Sequence, residues 1–308
     1  MANIARSWFP QGQLARREAL ECYLFISLAA IGFLMFQVIP IGTSAYLSLT
    51  DSELVGTPHW IGLKNYVTMA QDKLFWQSLK VTSLYAVVAV PLGLATSLLL
   101  ALLMNQKIRG VTIFRTVYYL PAVISGVAVA LLWRWIFNPE FGVLNVLLSY
   151  VGIQGPNWLI DTNWALPSLM LMSLWGIGGG IVIYLAGLQA IPTELYEAVE
   201  IDGGGLLAKF RHITIPMISP VIFFNLVTGI IWTFQEFTRV YVMTGGGPSN
   251  ATLFYGLYLY RNAFRYFELG YASALAWVLL FIILAMTVIL FRTARWWVYY
   301  ETRGERFS

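Results

Sequence analysis

The chain has 308 residues, 58% hydrophobic and 11% charged, with a formal net charge of +4. Soluble domains carry about 25% charged residues, so this composition excludes a soluble enzyme or binding module and marks an integral membrane protein. A single cysteine excludes an internal disulfide and a cysteine-based metal cluster. The arginines sit at the ends of apolar runs, where membrane topology requires them, and no nucleic acid is needed to explain them.

In chain order, residues 1–20 form a short basic arm carrying Arg6, Arg16 and Arg17. The first charge-free run, 22–50, is far longer than the apolar region of a signal peptide and ends in no small-residue cleavage site, so it is expected to be retained as a helix. Residues 51–79 carry Trp60, Tyr66, Phe75 and Trp76, which suit a cap at headgroup level. The runs 81–106 and 116–133 are joined by a tight basic loop, 107–115. The second of these is short and is expected to extend past Arg115 or Arg134. Turn formers at Asn138-Pro139 and Gly155-Pro156 mark a loop over 138–161. The fourth run, 162–193, holds Gly176, Gly178, Gly179 and Gly180, which let helices approach closely or unwind the helix locally. The last two runs are 213–235 and 269–291, and 296–308 is a tail.

A helix needs about 20 apolar residues to cross a bilayer. Six runs qualify, so the expected fold is all-α and polytopic, with one six-helix membrane domain over 21–295. Two further charge-poor stretches, 143–160 and 240–260, are interrupted by turn formers, among them Gly245-Gly246-Gly247-Pro248-Ser249-Asn250. Bare loop backbone is not tolerated facing lipid, so both are read as loops and short interfacial or re-entrant pieces. With both termini in the cytoplasm, twelve Lys and Arg residues fall inside and seven outside, which favours that orientation.

Between the fourth and fifth runs lies a polar island on the expected cytoplasmic side. Pro192 ends the run and Thr193 can cap a new helix, in which Glu194, Glu197 and Glu200 share one face. Asp202-Gly203-Gly204-Gly205 then breaks it, and Leu206, Leu207 and Phe210 restart an apolar stripe beside Lys209 and Arg211. The expectation is a short helix, a glycine hinge and a second short helix over 193–212. Two readings stay open on these residues: a solvated connection, or a helix that docks in a groove of a soluble partner.

Glu197-Ala198, Gly203 five residues on, and Ile213-x-Ile215-Pro216 together resemble the EAA loop of binding-protein-dependent ABC importer permeases. Asp202 and Phe210 also match, while Val199 and Ile215 replace the usual Ala and Leu. The region Leu120-Pro121, Trp133, Phe137-Asn138, Phe141-Gly142 and Asn145 is similar to carbohydrate importer permeases, as is Thr244-Gly245-Gly246-Gly247-Pro248 with Thr252. Over roughly 20–295 the pattern looks like the maltose-type first permease subunit. The resemblance implies a type I ABC importer permease in a bacterial or archaeal plasma (inner) membrane. It further implies that Glu197, Ala198, Glu200, Asp202, Gly203, Phe210 and Pro216 couple the chain to an ATPase. The partners implied are a second permease subunit forming a heterodimer, two ATP-binding subunits and an extracytoplasmic solute-binding protein.

Polar groups inside membrane helices are candidate functional sites. Counted back from Gly246-Gly247-Pro248, Thr233 and Glu236 fall where the maltose-type permease carries sugar-holding asparagines. A carboxylate can accept two hydrogen bonds from vicinal hydroxyls; alternatively Glu236 caps the span end and pairs with Arg239. Ser173 and Gly176 align similarly around Trp175, and Ser125 and Trp232 complete the candidate set. Trp175 is either a stacking platform or packing. Asn225 is read as an interhelical hydrogen bond. His59 and His212 lack a second histidine at helical spacing, so no metal site is expected. No phosphate-binding loop is present, so ATP and Mg are expected on the partner ATPase and this chain is not expected to be an enzyme.

The reading is a permease for a sugar or oligosaccharide. A permease for glycerol phosphate or another polyol ranks below it, because a phosphate calls for cavity arginines and only Arg239 lies near. An independent secondary carrier ranks lower still, since neither related halves nor midplane charges are visible.

Overall fold

The computed structural model describes residues 13–106 and 109–300. Residues 1–12 of the basic arm, Lys107 and Ile108 of the tight loop and residues 301–308 of the tail lie outside the described residues. Among the described residues there is no strand, only an isolated antiparallel bridge between Thr50 and Trp60.

Helix α1 (Gln13–Phe33) runs through a π turn, Leu34–Val38, into α2 (Ile39–Leu47). Residues 13–20 of the arm are therefore continuous with the first span. The short helix α3 (Lys64–Gln71) leads into α4 (Lys73–Met104), 32 residues long. The third passage differs from the straight helix expected. Helices α5 (Val111–Val123) and α6 (Gly126–Ile136) do extend past Arg115 and Arg134, but they meet at 102°. Pro121 supplies no backbone donor to the last turn of α5, and Ile124 and Ser125 take extended ψ values of 141° and 133°. Helix α7 (Val143–Tyr150) has eight residues, far too few to cross.

The fourth passage is α8 (Ala165–Ser173), a 3-10 turn at Leu174–Gly176, and α9 (Gly178–Gln189), bent by 47°. The break involves Gly176 alone of the four glycines; Gly178, Gly179 and Gly180 are helical in α9, and Gly178 permits a close approach, since a Cβ there would lie 2.4 Å from Tyr118 O of α5. Then come α10 (Thr193–Ile201), α11 (Leu206–Lys209), a π turn at Phe210–Thr214 and α12 (Ile215–Phe234). Helices α13 (Thr238–Met243) and α14 (Tyr255–Phe264) precede α15 (Leu269–Trp297). Among the described residues four helices are long and apolar enough to cross a bilayer, and the count reaches six where each bent pair is one passage.

Two larger cores hold the bundle, one toward each end, and a small third cluster of Phe223, Ala294 and Val298 joins α12 to α15. Phe75, Tyr85, Phe137, Leu169 and Leu275 form the first, into which Leu253, Phe254, Tyr255 and Leu257 insert. The 240–260 stretch thus lies at the centre of a core, where irregular backbone is sheltered by protein. Its glycine turn is held by Thr252, whose Oγ1 donates to Gly247 O at 2.7 Å, and by Arg261, which donates to Gly245 O. Asn145 fastens the 138–161 loop: its Nδ2 donates to Pro139 O at 3.0 Å and its Oδ1 accepts from Trp158 Nε1 at 2.7 Å. The second core joins Ala101 and Met104 of α4 to Tyr184 and Leu188 of α9 and Ile218 of α12.

Candidate functional site: a mid-depth cavity and an exposed helical hinge

Between the two cores lies a cavity of about 770 Å³. On α4 it is lined from Tyr85 to Leu94, about 18–32 Å along a helix of about 48 Å. Five of the predicted contacts reach it: Ser125, Ser173, Trp232, Thr233 and Glu236. All five lie at or within a turn of a helix end, with Trp232 and Thr233 in the last turn of α12. Ser125 sits in the α5–α6 bend, and its hydroxyl makes no capping bond. Ser173 ends α8, with Oγ donating to Met170 O at 2.6 Å. Glu236 lies in the gap between α12 and α13.

Gly176 lines a smaller chamber behind the main cavity. Trp175 lines neither and meets Trp133 edge-on with ring centroids 6.2 Å apart. Asn225 bonds within its own helix, Nδ2 donating to Val221 O at 2.9 Å, and the same side chain lines the cavity. Glu236 makes the expected contact with Arg239 and also lines the cavity. Its Oε1 accepts the backbone N–H of Arg239 at 3.2 Å, its Oε2 stands 3.7 Å from Arg239 Nε, and the carboxylate still faces the cavity.

Sequence reasoning missed Tyr85, which lies beside Ser173, and the glycines that bring the walls together. A Cβ on Gly229 would stand 3.2 Å from Val90 Cγ1, and one on Gly256 would stand 2.9 Å from Glu236 O. Tyr85 could have been found as a polar group inside a charge-free span.

At the far end the polar island forms the expected helix, hinge and helix. Glu197, Ala198, Glu200, Asp202 and Gly203 are exposed, and Phe210 and Pro216 are half-buried. Gly203 takes φ +75°, a conformation that L side chains resist, and Gly203 N donates to Glu200 O at 3.0 Å and Gly204 N to Val199 O at 2.8 Å. Val199 packs where a Cβ on Gly204 would be, so the turn needs glycine there as well. Ile201, Leu206 and Leu207 are 87%, 86% and 77% exposed around the hinge. These apolar side chains lie beside the exposed Glu194, Glu197 and Glu200.

A helical bundle with a mid-depth cavity that mixes apolar and polar side chains, and a protruding hinge at one end, has the anatomy of a membrane transport component. The chain belongs to the family described as binding-protein-dependent transport system inner membrane component, which matches residues 89–298. It is 46% identical over 295 residues to a probable ABC transporter permease protein, YesP, of Bacillus subtilis (strain 168), covering 94% of this chain and 95% of that one. It is 35% identical to the lactose transport system permease protein LacF of Rhizobium radiobacter, covering 96% of this chain and 99% of that one. Among solved structures, a bacterial alginate ABC transporter in complex with an alginate pentasaccharide-bound periplasmic protein shares the fold, with TM-score 0.81 at 24% identity over 91% of this chain and 95% of that one. The protein is a multi-pass membrane permease subunit of an ABC transporter.

Proposed function

We propose that this chain is the saccharide-translocating permease of a binding-protein-dependent importer, one half of a heterodimeric pathway. The observation that carries it is the cavity: Ser125, Ser173, Thr233, Gln235 and Glu236 offer hydroxyls, an amide and a carboxylate around about 770 Å³ at mid-depth. Sugar hydroxyls need such donors and acceptors, and Trp232 adds an apolar face. The lactose permease relative agrees with that cargo class. Both termini lie in the cytoplasm in this reading, which puts α10 and α11 there too. Two ATP-binding subunits receive α10 through Glu197, Glu200 and the bare apolar residues of the hinge. ATP and Mg belong to those subunits. An extracytoplasmic solute-binding protein delivers cargo at the opposite face, over the ends of α3 and α14. Closure of the ATPases moves the hinge and shifts the cavity between outward and inward access.

The test is uptake by the complete transporter in proteoliposomes, offered labelled oligosaccharides and labelled amino acids with the cognate binding protein. ATP-dependent uptake of a saccharide, reduced by Ser173→Ala and Thr233→Ala, is expected. Uptake confined to non-carbohydrate solutes would remove the reading.

A further inference from the structure

At the end of the bundle where α4 and α8 begin lies a groove of about 380 Å³ that shares no residue with the main cavity. Three segments build it: the start of α4, the chain entering α8, and the loop between α13 and α14 at Ser249 and Ala251. Both long walls change character in the same direction. On α4, Gln77 and Lys80 give way to Val81 and Leu84, and opposite them Thr162 and Asn163 give way to Leu166 and Met170. On α4 the change takes about 10 Å at 1.5 Å per residue. Trp76 and Trp164, next in the chain to Gln77 and Asn163, are 55% and 43% exposed, and exposed tryptophans gather at headgroup level. Past the groove, Val87 and Val88 continue the exposed apolar wall of α4. The groove therefore runs from headgroup level into the hydrocarbon.

Its polar side chains are unpartnered. Among the described residues the side chains of Lys80, Thr162, Asn163 and Ser249 make no hydrogen bond or ion pair, and Gln77 Nε2 reaches Asn250 O only at 3.4 Å. No aspartate or glutamate lines the groove. Asp161, just before it in the chain, turns Oδ1 to the Asn163 backbone N–H at 2.7 Å. In water the exposed Lys80 would need no partner; at the edge of hydrocarbon its ammonium calls for an anion. A lysine that only snorkels to water does not need two hydroxyls and an amide around the same space. A phosphodiester accepts from all of them, and the acyl chain it carries suits the apolar end. A zwitterionic headgroup would bring a cation that finds no acidic side chain here.

We propose that this groove binds an anionic phospholipid. The phosphate lies at Lys80, Thr162 and Asn163, and one acyl chain runs along Val81, Leu84 and Leu166. The lipid joins the starts of α4 and α8 to the α13–α14 loop. The site is independent of what the main cavity carries.

The test is photocrosslinking in the complete transporter, held in nanodiscs of equal parts phosphatidylglycerol and phosphatidylcholine with identical acyl chains. The photoreactive residue p-benzoylphenylalanine replaces Leu84, and its adducts are identified by mass. The same residue in place of Leu284, 53% exposed on α15, reports the surrounding bilayer. Phosphatidylglycerol adducts should exceed phosphatidylcholine adducts about fivefold at Leu84, the scale for one lysine at a membrane surface, and should equal them at Leu284. Lys80→Gln should bring the Leu84 ratio down to that at Leu284, and Lys80→Arg should keep it. If the label at Leu84 prevents assembly, the same label at Pro167 reads the ratio from the α8 wall. Equal ratios in the groove and at Leu284, or a preference that survives Lys80→Gln, overturn the proposal. An adduct in the groove with the mass of a polypeptide overturns it too, by showing that a protein partner covers the site.

Discussion

Glu200 and Lys209 form an ion pair across the glycine turn that joins α10 to α11. Tyr196 and Thr214 add a second tie, with their hydroxyl oxygens 3.1 Å apart. Beyond them the chain passes through the Phe210–Thr214 π turn into α12 without a break. In the proposed function these ties carry displacement of α10 into α12, which presents Asn225, Trp232 and Thr233 to the cavity. A free loop would carry no such displacement, and π turns are frequent where a helix must yield in a defined way.

The pair should matter for coupling and little for stability. The Glu200 side chain is 62% exposed, and exposed pairs contribute about 0–1 kcal/mol. Glu200→Lys and Lys209→Glu should each lower the saccharide moved per ATP hydrolysed, with melting temperature nearly unchanged. The double swap should restore the ratio. Paired ATPase and uptake assays decide it; a double swap no better than either single would show that the pair carries no force.

Gly203 should tolerate substitution in an order set by backbone conformation alone. A Cβ there meets nothing within 4 Å, but φ is +75°. An L residue held left-handed costs roughly 1–2 kcal/mol, asparagine costs less, and proline cannot adopt the angle at all. Transport should fall in the order Gly, Asn, Ala, Pro. If Ala equals wild type, the turn is not under this constraint.

Asp72 ties the start of α4 to the last two helices at the opposite end. Its carboxylate accepts from Tyr258 and, at 2.9 Å, from Tyr271, and caps α4 through Leu74 N at 2.8 Å. Burial opposes its charge, but the hydrogen bonds from Tyr258 and Tyr271 and from the Leu74 and Phe75 backbone prevail and hold its pKa below 3.8. A lowered carboxylate pKa contributes stability that is present above pH 3.8 and is lost as pH falls through the folded value. Burial and the bond to Asp72 push Tyr258 up to about 12, so its contribution is present below pH 10 and is lost as pH rises through about 12. Asp72→Ala should cost about 2 kcal/mol or more, since hydrogen bonds to a charged group are lost and two tyrosine hydroxyls are stranded. Thermal unfolding at neutral and acid pH should show the variant to be less stable and less sensitive to acid. A variant as stable as the wild type would mean the tie is not stabilising.

The six apolar passages were legible because a charge-free run of membrane length has few other uses. The hinge at 193–212 was legible because Asp202-Gly203-Gly204-Gly205 stops a helix locally. The bend at Ser125 was not, because Pro121 alone does not tell a kink from a right angle. Nor was the burial of Leu253, Phe254 and Tyr255: their apolarity suited an interfacial loop as well as a core, and the contacts that decide it reach α4 and α15. Asp72 and Tyr258 are 186 residues apart, and no local pattern joins them. The cavity residues were partly readable as polar groups in spans, but Tyr85 of α4 and Ser173 of α8 meet through packing that no local pattern joins.

Glu236→Gln keeps the size of the side chain and removes its charge. It should weaken saccharide binding about tenfold or more where the carboxylate accepts from hydroxyls, while leaving assembly intact. Titration of the purified transporter measures it; unchanged affinity would reduce Glu236 to a cap on α13.

The central claim is that energy from a separate ATPase reaches the cavity through the hinge. It is tested most directly by the number of saccharide molecules imported per ATP hydrolysed, in proteoliposomes holding the complete transporter, for the wild type and for Gly203→Pro. The expected result is ATP-dependent uptake in the wild type, and in the variant a ratio near zero with the subunits still assembled. An unchanged ratio in Gly203→Pro, or uptake by this chain without the ATP-binding subunits, would contradict it.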